Sequence, residues 1–265
     1  AFGFSQYGYD EGDCFTSIDY GFYLTNNGDL IGVEDGVQFS FVDDGYLEGD
    51  IIRLERDYDV IKFYKNGVQW TKLNYAEGKP HGQWMYWEKD STLRWENNYH
   101  MGLKNGKQVY YFPNGNVKKK EEYLMDKKNG IFEQYYEDGG LKKEVGYKEN
   151  KFHGIYKKYA SDSTLKIEKN YNEGILDGVD NYYYDNGDPA YTNFYKKGKK
   201  EGEWMFYYED GSKKAVEFYK KAKKSGEWIT YHKNGKVKSE IIYKKGKEES
   251  RKEYNKFGDL EEPKQ

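Results

Sequence analysis

Side chains that could bind a metal or transfer a proton are few and scattered in this sequence. The imidazoles are those of His81, His100, His153 and His232, and the single thiol is Cys14. His81 and His153 occupy the same position of a periodic pattern, directly before a glycine, so we expect them in equivalent turns far apart rather than in one metal or acid–base site. Cys14 has no histidine near it in sequence, which favours an unreactive thiol.

The acidic residues near the N-terminus could in principle hold Ca²⁺ among carboxylate oxygens. They are Asp10, Glu11 and Asp13, with Asp43 and Asp44 further on. Their spacing is not that of an EF-hand, so we interpret them as solvated loop carboxylates. No carboxylate pair stands out for glycoside hydrolysis, and no GxSxG, P-loop or dinucleotide motif is present. The sequence therefore predicts a non-enzymatic protein without metal or cofactor.

Lysine clusters recur at one position in three successive 24-residue units. The eleven residues are Lys196, Lys197, Lys199, Lys200, Lys220, Lys221, Lys223, Lys224, Lys244, Lys245 and Lys247. If the units stack as β-hairpins, these lysines form a basic rim roughly 30 Å long. Such a rim would attract an acidic protein or anionic lipid headgroups. The alternative is a rim that only keeps loops and edges soluble. Nucleic acid is disfavoured, because the net charge is negative and no recognition element is visible.

A second set of candidates consists of aromatic residues that share another position of the repeat. They are Trp84, Phe132, Tyr156, Trp204 and Trp228, and the series is interrupted by Gln108 and Asp180. We expect a packing stripe. Rings lining an open groove would instead act as binding hot spots for a partner.

Composition favours a thin β-protein. Charged residues make up 34% of the 265 residues and aromatic residues 19%, including 30 tyrosines. Disordered chains are poor in aromatics, whereas amphipathic rings can supply buried area to a flat sheet. Residues 1–64 hold 14 acidic and 3 basic residues, a balance of −11, so the remainder carries +8 to reach the net −3.

The compartment stays open at this stage. One cysteine excludes an intrachain disulfide, which suits the cytoplasm and also the cell surface. No stretch reaches the roughly 20 apolar residues of a membrane span. The chain begins at Ala1 without a signal-peptide pattern, so we expect a processed or truncated N-terminus.

The dominant feature is a period of 24 residues. Tyrosines recur at 75, 99, 123, 147, 171, 195, 219 and 243, and glycines at 82, 106, 130, 154, 178, 202 and 226. Five units also hold an Asn-Gly or Asp-Gly pair such as Asn114-Gly115. Two further units have Asp90-Ser91 and Asp162-Ser163 at this position instead. Such a period predicts a repeat architecture. Asn-Gly and Asp-Gly between β-prone runs predict type I′ hairpin turns, in which both central residues have positive φ.

Each unit then reads as strand, tight turn, strand and polar loop, and we expect an elongated all-β antiparallel sheet of about eight hairpins. The stretch Tyr195-Lys-Lys-Gly-Lys-Lys-Glu-Gly-Glu-Trp204, followed by Tyr207-Tyr208-Glu-Asp-Gly211, resembles a MORN repeat (membrane occupation and recognition nexus). It is most similar to the bacterial variant of the YwqK-family antitoxin-like proteins. The resemblance spans about residues 75–248. It implies a single-layer curled sheet with a groove that binds protein or phospholipid and does not catalyse.

The ends differ from the array, which gives three predicted regions: an acidic module at 1–74, the array at 75–249, and a degenerate capping unit at 250–265. Strands are expected at Thr16–Leu24, Leu30–Glu34, Val37–Val42, Asp50–Glu55 and Asp59–Tyr64. Their pattern, with Phe2-Gly3-Phe4-Ser5, is similar to part of a concanavalin-like or SPRY-like β-sandwich.

The function predicted from the sequence is a scaffold for protein–protein interaction. The alternatives are a surface adhesin with a carbohydrate-binding N-terminal module, binding to an anionic membrane surface, and antitoxin-like neutralisation of a partner.

Overall fold

The computed structural model describes residues 20–24, 30–34, 37–41 and 52–261. Within these ranges every regular element is a β-strand, and no helix is long and apolar enough to cross a membrane. An antiparallel three-stranded sheet comprises β1 (Tyr20–Leu24), β2 (Leu30–Glu34) and β3 (Val37–Phe41) in that order. The predicted strands at these positions are thus present.

A second, much longer sheet holds the rest of the described chain. Its strands are β4 (Ile52–Asp57), β5 (Val60–Lys65), β6 (Val68–Ala76), β7 (Lys79–Pro80), β8 (Gly82–Trp87), β9 (Leu93–His100), β10 (Leu103–Tyr111), β11 (Val117–Leu124), β12 (Lys127–Lys128), β13 (Gly130–Tyr135), β14 (Leu141–Lys148), β15 (Lys151–Tyr159), β16 (Leu165–Asn172), β17 (Ile175–Tyr183), β18 (Pro189–Lys196), β19 (Lys199–Lys200), β20 (Gly202–Tyr207), β21 (Lys213–Lys220), β22 (Lys223–Lys224), β23 (Gly226–Tyr231), β24 (Val237–Lys244) and β25 (Lys247–Glu253).

These strands pair antiparallel in chain order. Strand β4 pairs with β5, and β25 pairs with β24. No residue pairing joins β25 to β4 among the described strands, so the sheet is elongated and open, as the repeat predicted. Residues 52–74 are continuous with the array, because β6 pairs with β8.

The Asn-Gly and Asp-Gly turns within the repeats do not have the predicted type I′ geometry, whereas the Asn66-Gly67 turn between β5 and β6 does, with φ of 51° and 84°. In the turn at Phe112–Gly115, Gly115 has a φ of 84° whereas Asn114 is not in the positive-φ region. The Gly115 N–H donates to Phe112 O at 3.0 Å, and the Phe112 N–H donates to Asn116 O at 2.8 Å. This is a type I turn followed by a left-handed residue in a bulge. Asn114 Oδ1 also accepts the Asn116 N–H at 2.9 Å, which explains the asparagine.

We call these links the four-residue turns. They lie at 88–91, 112–115, 136–139, 160–163, 184–187, 208–211 and 232–235. In two of them a serine, Ser91 or Ser163, takes the left-handed position with φ of 66° and 68°. The predicted turn type was wrong for these links. Asn-Gly favours a type I′ turn only in a two-residue loop, and here the paired strands are joined by a longer loop.

Type I′ geometry belongs to the other links, which we call the two-residue turns. They lie at 77–78, 101–102, 125–126, 149–150, 173–174, 197–198, 221–222 and 245–246, and both residues of each have positive φ. Lys197 and Gly198, for example, have φ of 50° and 73°. This twist matches the right-handed twist of the flanking strands.

Ala222 is strained in its two-residue turn, because it holds a φ of 65° where Gly198 and Gly246 occupy the equivalent positions. We expect Ala222→Gly to raise the free energy of unfolding by about 0.5–1 kcal/mol, measured by urea denaturation, since the steric cost of a left-handed alanine exceeds the entropy cost of glycine. The reverse change, Gly246→Ala, should destabilise by a similar amount. Equal stability of all three proteins would contradict this account.

The periodic glycines lie at bulges that bend the strands. In β10 and β9, the residue pairing moves from Lys104 with Tyr99 to Gln108 with Asn97, so β10 gains residues around Gly106. Gly106 has a φ of 94°, and at Gly130 an added Cβ would lie 2.2 Å from Glu122 Oε2. Glycine is therefore required there by conformation.

The core is a single layer of rings on one side of the sheet, which we call the ladder face. The rings of Tyr195, Trp204, Tyr219, Trp228 and Tyr243 follow one another at centroid distances of 5.2, 5.1, 5.1 and 5.0 Å. A similar series of rings begins at Tyr75. Successive residues of a strand point to opposite faces, so the remaining side chains form the opposite face.

Candidate interaction surface

The predicted lysine rim is held in line by backbone hydrogen bonds between repeats. In each two-residue turn from 101–102 to 245–246, the N–H of the second residue donates to a carbonyl 22 residues earlier. Gly198 N donates to Leu176 O at 2.8 Å, Ala222 N to Lys200 O at 2.9 Å, and Gly246 N to Lys224 O at 2.9 Å. Each turn is thereby fixed on the preceding repeat. The lysines of three successive turns are therefore presented as a regular row.

Nine of the eleven predicted rim lysines are exposed. The other two, Lys200 and Lys224, lie against rings of the ladder face. Lys200 Nζ lies 3.9 Å from the Trp204 ring centroid and 3.4 Å from the Tyr219 hydroxyl. Lys224 Nζ lies 4.3 Å from the Trp228 ring centroid. These half-buried lysines cover the ladder in cation–π contacts. The exposed rim, used in this sense below, consists of Lys196, Lys197, Lys199, Lys220, Lys221, Lys223, Lys244, Lys245 and Lys247.

The five predicted groove aromatics lie within the ring series of the ladder face. Trp84, Phe132, Trp204 and Trp228 are 4% to 9% exposed, and Tyr156 is half-buried. Phe132, for example, lies 5.5 and 4.7 Å from the rings of Tyr123 and Tyr147. Most of the area of these rings is thus covered by tyrosines of the same sheet.

Gln108 replaces a tryptophan in the ladder without losing its hydrogen bond. Trp204 Nε1 and Trp228 Nε1 each donate to a backbone carbonyl ten residues earlier, at 3.1 and 3.0 Å. Gln108 Nε2 donates to the equivalent carbonyl of Asn98 at 2.7 Å, and Gln108 is fully buried. A primary amide therefore fulfils the donor role of the indole N–H.

Asp180 introduces a buried ion pair at the same position. Its Oδ1 lies 3.1 Å from Lys169 Nζ on the neighbouring strand, and Asp180 is 6% exposed. Burial alone would lower the pKa of Lys169, but hydrogen bonds with Tyr182 and Asp180 and the charge of Asp180 outweigh it and raise that pKa. Lys169 therefore stays charged at neutral pH and neutralises Asp180.

Tyrosine hydroxyls next to the ladder are hydrogen-bond donors rather than acids. Burial, and then the charge of Glu121, raises the pKa of Tyr110 to about 12. Burial, and then the hydrogen bond to Glu96 at 2.9 Å, raises the pKa of Tyr111 to about 12. Both phenols are neutral at physiological pH.

The four histidines lie at three places along the sheet, because His81 and His100 are neighbours. His81 and His153 precede Gly82 and Gly154 in different hairpins, and the ring of His81 lies 5.0 Å from that of His100. His232 Nε2 is 2.9 Å from Tyr254 O. Within residues 52–261 and the three short N-terminal strands, no group of three or more His, Cys, Asp or Glu side chains is placed to hold a metal ion. The candidates Cys14, Asp10, Glu11, Asp13, Asp43 and Asp44 lie outside the described residues.

Comparison with known proteins identifies the repeat. Four segments match the family model described as MORN repeat variant, at residues 104–124, 128–149, 200–221 and 224–245. No curated protein matches the chain. Each matched segment contains an Asn-Gly or Asp-Gly turn. The unmatched stretch between the second and third segments contains Asn186-Gly187 but departs from the pattern at Ser163 and Asp180. The chain therefore contains MORN repeat variants in an all-β sheet. The YwqK-type and sandwich-like resemblances remain predictions.

Proposed function

We propose that this chain is a non-catalytic scaffold that binds an acidic protein partner along its extended sheet, with the exposed rim as the charged part of the contact. Proteins of MORN repeats are generally non-catalytic. The observation that carries the proposal is the row of two-residue turns, since the hydrogen bonds at 2.8 to 2.9 Å between repeats hold nine exposed lysines in line. A fixed row of like charges provides complementarity and steering toward an oppositely charged surface.

The same row of lysines favours one second candidate, binding to an anionic membrane surface. A cluster of several lysines is attracted to anionic lipids by about 1 kcal/mol per residue near the surface. A protein partner is preferred because the rim adjoins two exposed carboxylates, Glu203 and Glu227. A protein surface can place its acidic residues opposite the lysines alone, whereas a uniformly negative bilayer would also face the carboxylates and be repelled by them. Carbohydrate binding would depend on residues 1–51, most of which lie outside the described ranges. Antitoxin-like neutralisation is a special case of protein binding.

Charge reversal at Lys197, Lys221 and Lys245 tests both candidates. Glu77, Glu149 and Glu173 occupy the equivalent turn position with φ of 47° to 53°, so the triple Lys→Glu variant should fold. Full-length protein, cross-linked in extract of the source cells, should retain one stoichiometric protein partner. The triple variant should retain it about tenfold less, because each pair contributes up to about 1 kcal/mol.

The matched control reverses three exposed lysines outside the rim, Lys158, Lys213 and Lys233, and should bind as the unmodified chain does. Flotation with vesicles of phosphatidylcholine, alone or mixed with phosphatidylserine, is the parallel measurement. Partner capture that both triple variants retain equally would refute the role of the rim. Flotation that requires phosphatidylserine and is lost only in the rim variant would establish the membrane function instead.

A further inference from the structure

The opposite face of the sheet changes character toward its C-terminal end. The edge row, which lies beside the two-residue turns, holds Ile131, Ile155 and Val179 on one strand of the middle hairpins. In the later hairpins the apolar residues are Phe194, Phe218 and Ile242, and the latter two pair with Glu203 and Glu227. Phe194 is 42% exposed, and Phe218 and Ile242 are each 37% exposed. The positions of the repeat that correspond to Phe194 are polar or small in the earlier hairpins: Asn74, Asn98, Glu122, Gly146 and Asn170. The fold thus forms without apolar residues at this position.

Next to the edge row on the same face lies a second row, which we call the central row. Its residues also become more apolar toward the C-terminal end of the sheet. Met205, Val216 and Ile229 pair directly across β20, β21 and β23. The middle of the row consists instead of charged residues in cross-strand ion pairs, Lys120 with Glu133 at 3.3 Å and Lys157 with Glu168 at 3.4 Å. The central row is thus apolar only in β20, β21 and β23, since it continues with Thr192 in β18 and Glu240 in β24. Val216 is 7% exposed, so the more exposed part of this apolar area consists of Phe194, Phe218 and Ile242. An exposed apolar area beside charged residues marks an interaction site.

Charge next to this area indicates the partner. Lys196 lies two residues beyond Phe194 in β18, so both point to the opposite face. Lys199 pairs with Lys196, and the same pairing recurs between Lys220 and Lys223 and between Lys244 and Lys247. A row of lysines thus runs beside the apolar edge row. A partner surface that complements both the apolar residues and this lysine row is apolar with an acidic flank.

The geometry favours a helix as the partner. A segment that crosses the face of a sheet finds no backbone groups there, so it must satisfy its own N–H and C=O groups, as a helix does. The hairpins advance by about 9.6 Å, two strand spacings. Residues seven apart on a helix are about 10.5 Å apart along its axis. An apolar heptad stripe therefore matches Phe194, Phe218 and Ile242.

We propose that the opposite face of β18 to β24 binds an amphipathic helix of a partner protein, whose apolar stripe covers Phe194, Phe218 and Ile242 with the adjoining apolar part of the central row, and whose acidic flank faces the lysine row. Glu203 and Glu227 lie in the edge row, paired with Phe218 and Ile242. They exclude acidic residues from the stripe itself and so set the position of the helix along the sheet. This inference rests on the proposed scaffold function and specifies the partner's chemistry.

The probe is a synthetic helix of three heptads, roughly 31 Å long, with leucines in the stripe and glutamates on one flank. Isothermal titration calorimetry on the full chain should give a dissociation constant in the micromolar range. The double variant Phe194→Asn/Phe218→Asn should bind at least about tenfold more weakly, since exposed aromatics dominate such contacts. It should fold, because asparagine occupies this position at Asn74, Asn98 and Asn170.

The matched control is Leu124→Asn, which removes an exposed apolar residue outside the site, 55% exposed, and should not change binding. A peptide with lysines in place of the flank glutamates should bind at least tenfold more weakly. Equal binding of both peptides, or of the double variant and the control, would overturn the proposal. Concentration-dependent dimerisation of the full chain that the double variant abolishes would identify a second copy as the occupant and overturn it as well.

The two proposals can fail separately. If the probe does not bind but rim-dependent capture of a cellular partner persists, the helix site is refuted and the scaffold function stands. If the probe binds but no protein partner is captured by the rim, the scaffold function is refuted and the site remains as a helix-binding surface.

Discussion

Replacing Trp204 with alanine is expected to lower the free energy of unfolding by about 4 kcal/mol. Trp204 is 4% exposed and lies between the rings of Tyr195 and Tyr219 at 5.2 and 5.1 Å. The change removes both ring contacts, the Lys200 cation–π contact and the indole hydrogen bond to Phe194 O. Urea denaturation followed by tyrosine fluorescence would measure the loss.

The matched control is Trp204→Phe, because Phe132 occupies the same position in another hairpin. It keeps a ring in the ladder but loses the hydrogen bond, so a cost of about 1–2 kcal/mol is expected. Since each repeat contacts only its neighbours, amide exchange in the alanine variant should accelerate first in β18 to β21. A uniform increase along the sheet, or equal costs for both variants, would show that the ladder does not act locally.

Replacing Lys169 with valine is expected to cost about 3–5 kcal/mol, because it leaves the Asp180 carboxylate buried without its cation. The two side chains are only 18% and 9% exposed, which separates this pair from surface ion pairs worth less than about 1 kcal/mol. Equilibrium unfolding at neutral pH, compared with that of the unmodified chain, is the measurement. A cost below 1 kcal/mol would mean that water replaces the lysine at no penalty.

The double variant Lys169→Val/Asp180→Tyr is the matched control for that experiment, because it removes both charges of the ion pair. Val145 and Tyr156 form the equivalent cross-strand pair one repeat earlier, so the double change copies an arrangement the sheet already contains. We expect its stability to return to within about 1 kcal/mol of the unmodified chain, or above it. A double variant no more stable than Lys169→Val alone would show that this hairpin needs the ion pair for its fold.

Much of the architecture follows from the 24-residue period, because the period sets both the strand lengths and the position of each turn. The open antiparallel sheet, its ring series and its Asn-Gly turns were all predictable in this way. The turn types were not, since φ depends on how many residues the paired strands leave in each loop. Asn114 illustrates the difference: its side chain accepts the Asn116 N–H in a four-residue turn, and its own φ is not positive.

The candidate site was predictable only in part. The exposed rim follows from lysines that share a repeat position, but strand alternation directs Lys200 and Lys224 to the ladder face, where they cover tryptophan rings. The apolar area does not follow from what the units share. Its signal is a difference between units, phenylalanine at 194 and 218 where three of the five earlier units have asparagine. The rings of Trp204 and Trp228 are prominent in the sequence, but in the structure they are buried in the ring series of the ladder face.

The hydrogen bonds between successive two-residue turns also constrain how such a gene can change length. Gly198, Ala222 and Gly246 each reach a carbonyl 22 residues back, and every such bond depends on the same count of residues in the intervening hairpin. Loss or gain of a whole 24-residue unit leaves each remaining turn on an equivalent neighbour. Any other insertion within a strand displaces the turn from its acceptor, and an insertion of an odd number of residues also moves the following rings to the other face. Unequal recombination between whole units is thus compatible with the fold, and the sheet can be lengthened in steps of one hairpin.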